Sequence, residues 1–259
     1  KYIAVSTLEA TFDVASMAKT STKVFVLEVM GRHAGWIAAA GAMASSKEMD
    51  LPIVILFPEI AFDKAKFLAK VGAMVKKYGY CTVVVSEGVK GADGKFLSDQ
   101  GLRDAFGHAQ LGGVAPVIAS IVKEGLNLKY HWGVADYLQR AARHIASKTD
   151  VAQAYATGKA AVELAIKGRN SVMPAIKRVS DKPYKWKIEV AELKNVANKE
   201  KFMPRDFITA DGFGITEKCR KYLAPLMLGE DYPPYRNGLP RYVRLKNVGV
   251  KKKLGEFKI

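Results

Sequence analysis

Apolar runs of strand length alternate with longer segments of helical periodicity along the first half of this chain. The apolar runs occupy 23–29, 52–57, 81–87 and 128–134. The segments with helical periodicity occupy 1–19, 34–46, 61–79 and 111–125. Strands that are apolar on both faces and separated by helices are typical of a parallel sheet covered on both sides. Residues 1 to about 135 are therefore predicted to form a doubly wound α/β unit with a parallel sheet in a Rossmann-type three-layer arrangement.

The pattern beyond this unit is less regular. A helix is predicted over 150–168, where Gly168 stands at the position expected of a C-terminal cap. Further on, 185–193 is a candidate strand, 215–227 a short helix and 230–242 a proline-rich loop. No functional motif is assigned to this last part of the chain.

The composition is that of a globular protein. Of its 259 residues, 49% are hydrophobic, which is enough for one large core or two modest ones. No run approaches the roughly 18 uncharged apolar residues of a membrane helix, and the opening residues lack the layout of a signal peptide. Two cysteines, Cys81 and Cys219, do not make a disulfide framework, so a cytoplasmic location is expected. Lys1 already lies in a helical pattern, as expected of the later part of a longer polypeptide.

The charge balance indicates an anionic partner. Lys and Arg number 41 against 25 Asp and Glu, which gives a net charge of +16. Nucleic acid, a membrane surface and phosphorylated small molecules all suit such a charge. The basic residues are diluted by acids and apolar positions, and no compact stripe of arginines alternates with aromatic residues. Nucleic-acid and membrane binding are therefore not expected, and a solvated basic surface is the simplest account of most of the charge.

Functional side chains are expected where the parallel strands end, because ligands of open α/β sheets bind at the carboxyl edge. The residues just past the four runs are Met30, Gly31 and Arg32, then Pro58 and Glu59, then Glu87 and Gly88, and last Tyr137 and Arg140. Two arginines, a glutamate and a tyrosine are thus predicted to converge at one edge of the sheet.

These residue types suit a phosphorylated sugar. Arginine offers a planar fork of donors to phosphate oxygens, glycine lets backbone N–H groups approach an anion, and a carboxylate accepts hydrogen bonds from sugar hydroxyls. Simpler accounts stay open for each position. Gly31 and Gly35 fit an ordinary turn between strand and helix. Glu87 alone also fits a helix cap or a surface charge, and Arg140 a surface ion pair.

Other kinds of site find little support. The four histidines, at 33, 108, 131 and 144, share no metal-ligand spacing, and no metal ligands are predicted in this chain. The segment 107–113 could cradle an anion at a helix start, although a plain N-terminal turn is the simpler interpretation. No Ser/His/Asp or Cys/His arrangement stands out, and Cys81, within an apolar run, is a poor nucleophile.

Several stretches resemble the phosphofructokinase family. They are VLEVMGRHAGWIA at 26–38, PE at 58–59, VVVSEG at 83–88, and DYLQRAARHIASKTDVAQAYATGKAAVELAIKG at 136–168. The MGR segment after a strand is the hallmark of that family. The resemblance covers residues 1 to about 170 and implies a two-lobed α/β fold with the first lobe largely missing. Residues 1–137 would form the sugar-phosphate-binding domain, and 138–259 would return to a mostly absent donor-binding domain and add a C-terminal extension.

The resemblance also implies an activity, which is transfer of a phosphoryl group to the 1-hydroxyl of fructose 6-phosphate in glycolysis, with Mg²⁺ on the donor. Arg32 would be the catalytic contact to the transferring phosphate, beside Met30 and Gly31, and Glu87 would accept from sugar hydroxyls. The remaining substrate-binding residues implied are Tyr137, Leu138, Gln139 and Arg140, around the 6-phosphate, and Lys23, which would reach a neighbouring subunit's site in a homo-oligomer.

Departures from the family pattern bear on the phosphoryl donor. Tyr137 stands where ATP-dependent bacterial members typically have histidine, and Ala141 and Ala142 stand in place of paired glycines. The Y-x-x-R pattern and MGRHAGW are both more typical of the pyrophosphate-dependent branch. His131 stands where the family usually has another phosphate-binding arginine, which Lys129 would replace.

The resemblance places the glycine-rich donor loop, the general base and the Mg²⁺ ligands upstream of this chain. Pyrophosphate is therefore favoured as donor, with two alternatives kept open. One is an ATP-dependent 6-phosphofructokinase. The other is a noncatalytic, regulatory subunit that only binds the sugar phosphate.

Overall fold

The computed structural model describes residues 1–103, 109–111, 113–249, 251–253 and 255. The strands in this part of the chain are β1 (Val24–Val29), β2 (Ile53–Leu56), β3 (Cys81–Ser86), β4 (Asp99–Arg103), β5 (Ala109–Leu111), β6 (Tyr130–Val134), β7 (Val172–Asp181), β8 (Tyr184–Glu192), β9 (Tyr235–Arg236) and β10 (Leu239–Pro240). The α-helices are α1 (Tyr2–Met17), α2 (Trp36–Gly41), α3 (Lys64–Tyr78), α4 (Ala115–Leu126), α5 (Leu138–Ala141), α6 (Lys148–Ile166) and α7 (Glu217–Met227).

The predicted parallel sheet is confirmed. Its strands run in the order β2-β3-β1-β6, and every neighbouring pair is parallel. The runs predicted at 23–29, 52–57 and 81–87 match β1, β2 and β3 to within one residue at each end. Because all strands point the same way, the loops that follow β1, β3 and β6 leave from one edge of the sheet.

Two hydrophobic cores cover the two faces of the sheet. Residues of β1 alternate between them, since Val24 and Val26 face one core while Leu27 and Val29 face the other. The first of these cores is completed by α3 and α4, with Phe67 and Ile118 fully buried. The other is completed by α1, α2 and the later helix α7. The alternation with period two explains why these strands carry apolar residues on both faces.

The later half differs from its prediction in β7, in the short helix α5 and in the short strands β9 and β10, which lie within the predicted loop 230–242. β7 and β8 form a long antiparallel hairpin, of which only β8 was predicted. β7 was missed because lysine, arginine and proline interrupt its apolar residues, and both strands leave alternate residues exposed. α6 spans Lys148–Ile166, so it begins and ends two residues earlier than predicted. Gly168 follows it with φ +67°, the left-handed conformation expected of a cap.

None of the helices in the described ranges is both long enough and apolar enough to cross a membrane.

Candidate active site

Three loops meet at the carboxyl edge of the sheet. The backbone N–H of Glu87 donates to the carbonyl oxygen of Val29 at 2.9 Å, and that of Ala135 donates to the carbonyl of Glu28 at 2.9 Å. The strand ladders of β1 with β3 and β6 therefore continue into the loops that follow them. This is the arrangement that the strand-end rule predicts.

Gly31 and Glu87 are in direct contact. The Gly31 N–H donates to Glu87 Oε1 at 3.1 Å, and the Ser86 hydroxyl donates to the Gly31 carbonyl at 2.6 Å. Gly31 has φ +143°, and a Cβ there would lie 2.6 Å from Ser86 Oγ. Only glycine fits this close approach and this backbone conformation.

Met30 is tied to the turn that follows β6. Its N–H donates to Gln139 Oε1 at 3.3 Å, while Gln139 Nε2 donates to the carbonyl of Asp136 at 2.7 Å. The amide of Gln139 thus joins the loop after β1 to the short helix α5. Leu138, its neighbour, is largely exposed.

Arg140 and Tyr137 form a stacked pair at the same edge. The Arg140 guanidinium carbon lies 4.5 Å from the centre of the Tyr137 ring. Tyr137 is 63% exposed, so the pair faces solvent. Arg140 also lines a cavity of about 260 Å³ whose other walls include Lys1, Arg143 and Asp150. Within the described residues its guanidinium has no hydrogen bond or ion pair, which leaves its donors available to an anion.

The guanidinium of Arg143, three residues further along the chain, already has partners within the protein. It donates to the backbone carbonyl of Asp231, and its ion pair with Asp231 Oδ1 measures 2.5 Å. It therefore secures the loop after α7 and is not a free cation.

Arg32 is held through its backbone. A Cβ on Gly88 would lie 1.7 Å from the Arg32 carbonyl oxygen, so these two backbone segments touch where no side chain fits. Across the described part of the chain, the Arg32 guanidinium takes part in no hydrogen bond or ion pair.

Lys23 lies at the opposite end of β1 from Met30. Its ammonium donates to the carbonyl of Ala18, and its N–H donates to the carbonyl of Lys129 at 2.9 Å. Six strand residues separate it from the loop, a distance of roughly 20 Å at the usual rise per residue. Lys129 lies at the same end, where its ammonium donates to Ser21 Oγ at 2.9 Å. Neither lysine lies beside Gly31 in this chain.

Sequence reasoning missed the role of Glu28. It is 7% exposed in the middle of β1, and Oε2 accepts the N–H groups of Val114 at 2.7 Å and Ala115 at 2.8 Å. Burial raises the pKa of its carboxyl against the lowering effect of those two N–H groups, and the charge of Glu87 raises it further. The one signal was a glutamate inside an otherwise apolar run.

Glu59, at the end of β2, has a structural task as well. Its Oε1 accepts the N–H groups of Gly35 and Met203, each at 3.0 Å. It therefore anchors the start of α2 and a distant segment of the chain, and little of its carboxylate is left for a ligand.

Other candidate chemistry is sparse. No group of three or more His, Cys, Asp or Glu side chains that could hold a metal occurs among the residues described. Burial raises the pKa of the Cys81 thiol to about 12, so this cysteine is no nucleophile. Of the segment 107–113, for which a plain N-terminal turn was favoured over an anion cradle, residues 107, 108 and 112 lie outside the described residues.

The family model described as Phosphofructokinase matches residues 4–165. The chain belongs to the phosphofructokinase family. This match confirms the resemblance to the family that the MGR, PE and SEG segments indicated. It also confirms the phosphofructokinase-like parallel-sheet fold.

Individual members of the phosphofructokinase family are closely similar. The pyrophosphate–fructose 6-phosphate 1-phosphotransferase of Halomonas elongata is 66% identical over 100% of this chain and 62% of its own length. The protein of the same name from Methylococcus capsulatus is 67% identical over 98% of this chain and 60% of its own. The crystal structure of pyrophosphate-dependent phosphofructokinase from Nitrosospira multiformis matches with a TM-score of 0.88 and 72% identity, over 100% of this chain and 61% of that one. This chain thus spans about three fifths of the length of these relatives.

Proposed function

We propose that this chain forms the sugar-phosphate half of a pyrophosphate-dependent phosphofructokinase, which makes fructose 1,6-bisphosphate from fructose 6-phosphate. The observation that carries the proposal is the Gly31 N–H bound to the Glu87 carboxylate, at an edge where the Arg32 and Arg140 guanidinium groups have no hydrogen bond or ion pair within the described residues. Two relatives at 66% and 67% identity bear the name of this activity, which supports pyrophosphate as the donor.

The site residues divide by the part of the substrate they would bind. Arg140, stacked on Tyr137 beside Leu138 and Gln139, would hold the 6-phosphate through its planar fork of donors. Glu87 keeps Oε2 free of the Gly31 N–H, so this oxygen would accept from a sugar hydroxyl.

The transferring group would lie against Met30, Gly31 and Arg32. In the proposed reaction the 1-hydroxyl oxygen bonds to one phosphorus of pyrophosphate, the bridging bond on that phosphorus breaks, and orthophosphate leaves. The hydroxyl proton passes to a general base that the family resemblance places upstream. Arg32 would neutralise the charge of the transferring phosphoryl group, because such reactions depend on positioning and electrostatic stabilisation.

Members of the family generally use Mg²⁺. Among the described residues no group of three or more His, Cys, Asp or Glu side chains is placed to hold a metal, and arginine is not a ligand for Mg²⁺. We therefore assign Mg²⁺ to the phosphoryl donor and to upstream residues. The roles proposed for Arg32, Glu87 and Arg140 do not depend on the metal.

The rest of the proposal concerns the whole enzyme. Residues 1–137 would carry the sugar phosphate, and 138–259 would return to the donor-binding domain. Lys23, roughly a strand length from Gly31, would serve a neighbouring subunit of a homo-oligomer. Both cysteines are free and buried, which suits an enzyme of the reducing cytoplasm. We expect no membrane or nucleic-acid partner, as the spread of the basic residues along the sequence indicates.

The decisive experiment offers fructose 6-phosphate to the full-length protein with either pyrophosphate or ATP. Turnover with pyrophosphate and not with ATP is expected. Turnover with ATP alone would show an ATP-dependent 6-phosphofructokinase and refute the donor assignment. Binding of fructose 6-phosphate without turnover under either donor would show a noncatalytic, regulatory subunit.

A further inference from the structure

The loop that carries Arg32 is anchored on two sides. Its first residues are bound to the sheet edge, through the contacts of Met30 and Gly31 described above. Its last residues contact a distant segment, 200–203, which we call the strap. The His33 ring Nδ1 is paired with Glu200 Oε1, and Trp36 Nε1 donates to the Lys201 carbonyl at 2.7 Å. The strap thus contacts the loop on the C-terminal side of Arg32, at His33 and Trp36.

The strap is itself fixed to the body of the protein. Met203 is 4% exposed and belongs to the core that covers α1 and α2. Its N–H and that of Gly35 share Glu59 Oε1, each at 3.0 Å. One carboxylate therefore joins the end of the loop to the end of the strap.

Aromatic packing strengthens the same junction. The Trp36 ring meets Phe207 edge-on with 5.9 Å between ring centres, and it lies 5.6 Å from Tyr222. His33 stacks on Phe96 with 6.1 Å between ring centres and 9° between planes. Residues 33–36, which follow Arg32, are consequently held by side-chain contacts rather than by hydrogen bonds between strands.

Arg32 lies between these two anchors. Among the described residues its guanidinium has no partner, so its direction depends on the position of the backbone at 31–33. A group that stabilises a transferring phosphoryl must be placed to within a fraction of an ångström, and a shift of about 1 Å costs on the order of a hundredfold in rate.

We propose that Glu200 and the Lys201 carbonyl are positioning groups for phosphoryl transfer, acting through His33 and Trp36 to set the Arg32 backbone. Within the described residues no hydrogen bond, ion pair or ring contact joins the strap to Tyr137 or Arg140, which we propose hold the 6-phosphate. Loss of the strap should therefore lower turnover and leave sugar-phosphate binding intact. This inference rests on the proposed phosphotransferase activity.

The test compares substitutions in the full-length protein. Glu200→Ala removes the partner of His33, Glu200→Gln keeps an acceptor oxygen, and Trp36→Phe keeps the ring but removes the N–H donor. Glu124→Ala is the matched control, because Glu124 is an exposed carboxylate on α4 whose partner, Lys64, is also exposed. Three quantities are measured for each variant. They are kcat and KM for fructose 6-phosphate, and the rate of amide hydrogen exchange across residues 31–36.

We expect Glu200→Ala to lower kcat about tenfold with less than a twofold change in KM, the pattern of an interaction made in the transition state. Exchange across 31–36 should rise in the same variant. Glu200→Gln should recover most of kcat, Trp36→Phe should lower it about threefold, and Glu124→Ala should match the parent.

Three outcomes would overturn the proposal. Unchanged kcat and exchange in Glu200→Ala would show that the strap does not position the loop. A rise in KM at constant kcat would assign it to substrate binding instead. Equal loss in Glu200→Gln and Glu200→Ala, with faster exchange throughout the protein, would indicate a general folding defect. If the unmodified enzyme has no activity with either donor, the proposed function is wrong. The exchange measurement then still tests whether the strap holds the loop at 31–36 in place.

Discussion

Two arginines three residues apart have different tasks, and the difference lies in their neighbours. Arg143 is bound by the carboxylate and carbonyl of Asp231. Arg140 is stacked on Tyr137 and borders a cavity of about 260 Å³. A paired guanidinium contributes to the fold, while an unpaired one at a cavity is available to a phosphate. Residue type and position do not separate the two, because both lie in the same Q-R-A-A-R stretch, and only the family resemblance selected Arg140.

Arg140→Ala should raise KM for fructose 6-phosphate by roughly ten- to a hundredfold, the loss of a hydrogen-bonded charge contact worth about 1.5–3 kcal/mol. Turnover should fall by much less, because the 6-phosphate does not react. Steady-state kinetics of the full-length enzyme measures both constants. Arg169→Ala, at an exposed arginine next to Glu192, serves as control, and an unchanged KM in Arg140→Ala would remove Arg140 from the phosphate site.

Gly88→Ala tests the backbone contact behind Arg32. The new Cβ would lie 1.7 Å from the Arg32 carbonyl oxygen, and a backbone atom cannot turn aside as a flexible side chain does. The loop must shift, so we expect kcat to fall at least tenfold, in line with the cost of misplacing a catalytic group. Overpacking should also lower the free energy of unfolding by about 1–3 kcal/mol.

The control for this substitution is Gly72→Ala in the interior of α3. Its Cβ would meet only Leu126 Cδ2 at 3.7 Å, an ordinary contact. Alanine should stabilise that helix by about 0.5–1 kcal/mol without changing kcat. Full activity in Gly88→Ala would mean that the position of the Arg32 carbonyl is not critical.

At the scale of elements, the strands of the sheet were predictable and the later hairpin was not. β1, β2 and β3 are buried on both faces, so burial alone makes them continuous apolar runs. β7 has alternate residues exposed and carries Lys177 and Arg178, so its apolar residues form no run. The strand-end rule likewise identified Gly31 and Glu87, because topology brings those positions together in any parallel sheet.

The contacts that sequence reasoning missed all depend on tertiary structure. Glu200 lies 167 residues from His33 along the chain. No periodicity or local motif encodes such a pairing, and the strap segment has no regular secondary structure to predict. Glu28 and Glu59 were likewise read as strand residues or edge groups. Their partners, the N–H groups of other elements, become known only from the packing.

An ion pair between α3 and the turn at 209–214 gives this part of the fold a pH dependence. Lys70 Nζ lies 2.7 Å from Asp211 Oδ2, while Oδ1 accepts from the Thr209 hydroxyl and the Phe213 N–H. Burial raises the pKa of Asp211, but the hydrogen bond from Lys70 and those from Thr209 and Phe213 outweigh it and lower the pKa to about 2. The ionised carboxylate is therefore favoured by folding.

Asp211→Asn should lower the free energy of unfolding at neutral pH by less than about 1 kcal/mol, since the pair is partly exposed and screened. Because the folded pKa is depressed, the contribution of the parent carboxylate is present above its unfolded value near 3.8 and disappears as the pH falls toward about 2. Denaturant unfolding of both proteins across this range should show their stabilities converging. A constant difference down to pH 2 would exclude the ion pair as its source.

At the scale of the whole molecule, the later half presents an apolar face to solvent. Tyr155, Val162 and Ile166 are 76%, 60% and 80% exposed, and they follow one another at helical spacing along α6. Met173 and Ile176 of the adjoining β7 are exposed as well. Exposed apolar residues that follow one another along a helix, as these three do on α6, are typical of an interaction surface. Since the similar relatives are longer than this chain, a donor-binding domain is the occupant that the proposed arrangement requires.

Val162→Glu tests that arrangement in the full-length protein. If a second domain covers α6, the substitution buries a charge in an apolar contact. It should then lower the free energy of unfolding by several kcal/mol or prevent the two domains from folding together. In the 259-residue chain alone, the same change adds charge to an exposed face and should reduce self-association.

The control is Val243→Glu, at a residue 87% exposed near the end of the chain. It should change the free energy of unfolding by less than about 0.5 kcal/mol. Thermal unfolding and light scattering compare each variant with the parent of the same length. A full-length Val162→Glu protein as stable as its parent would mean that α6 faces solvent in the intact enzyme.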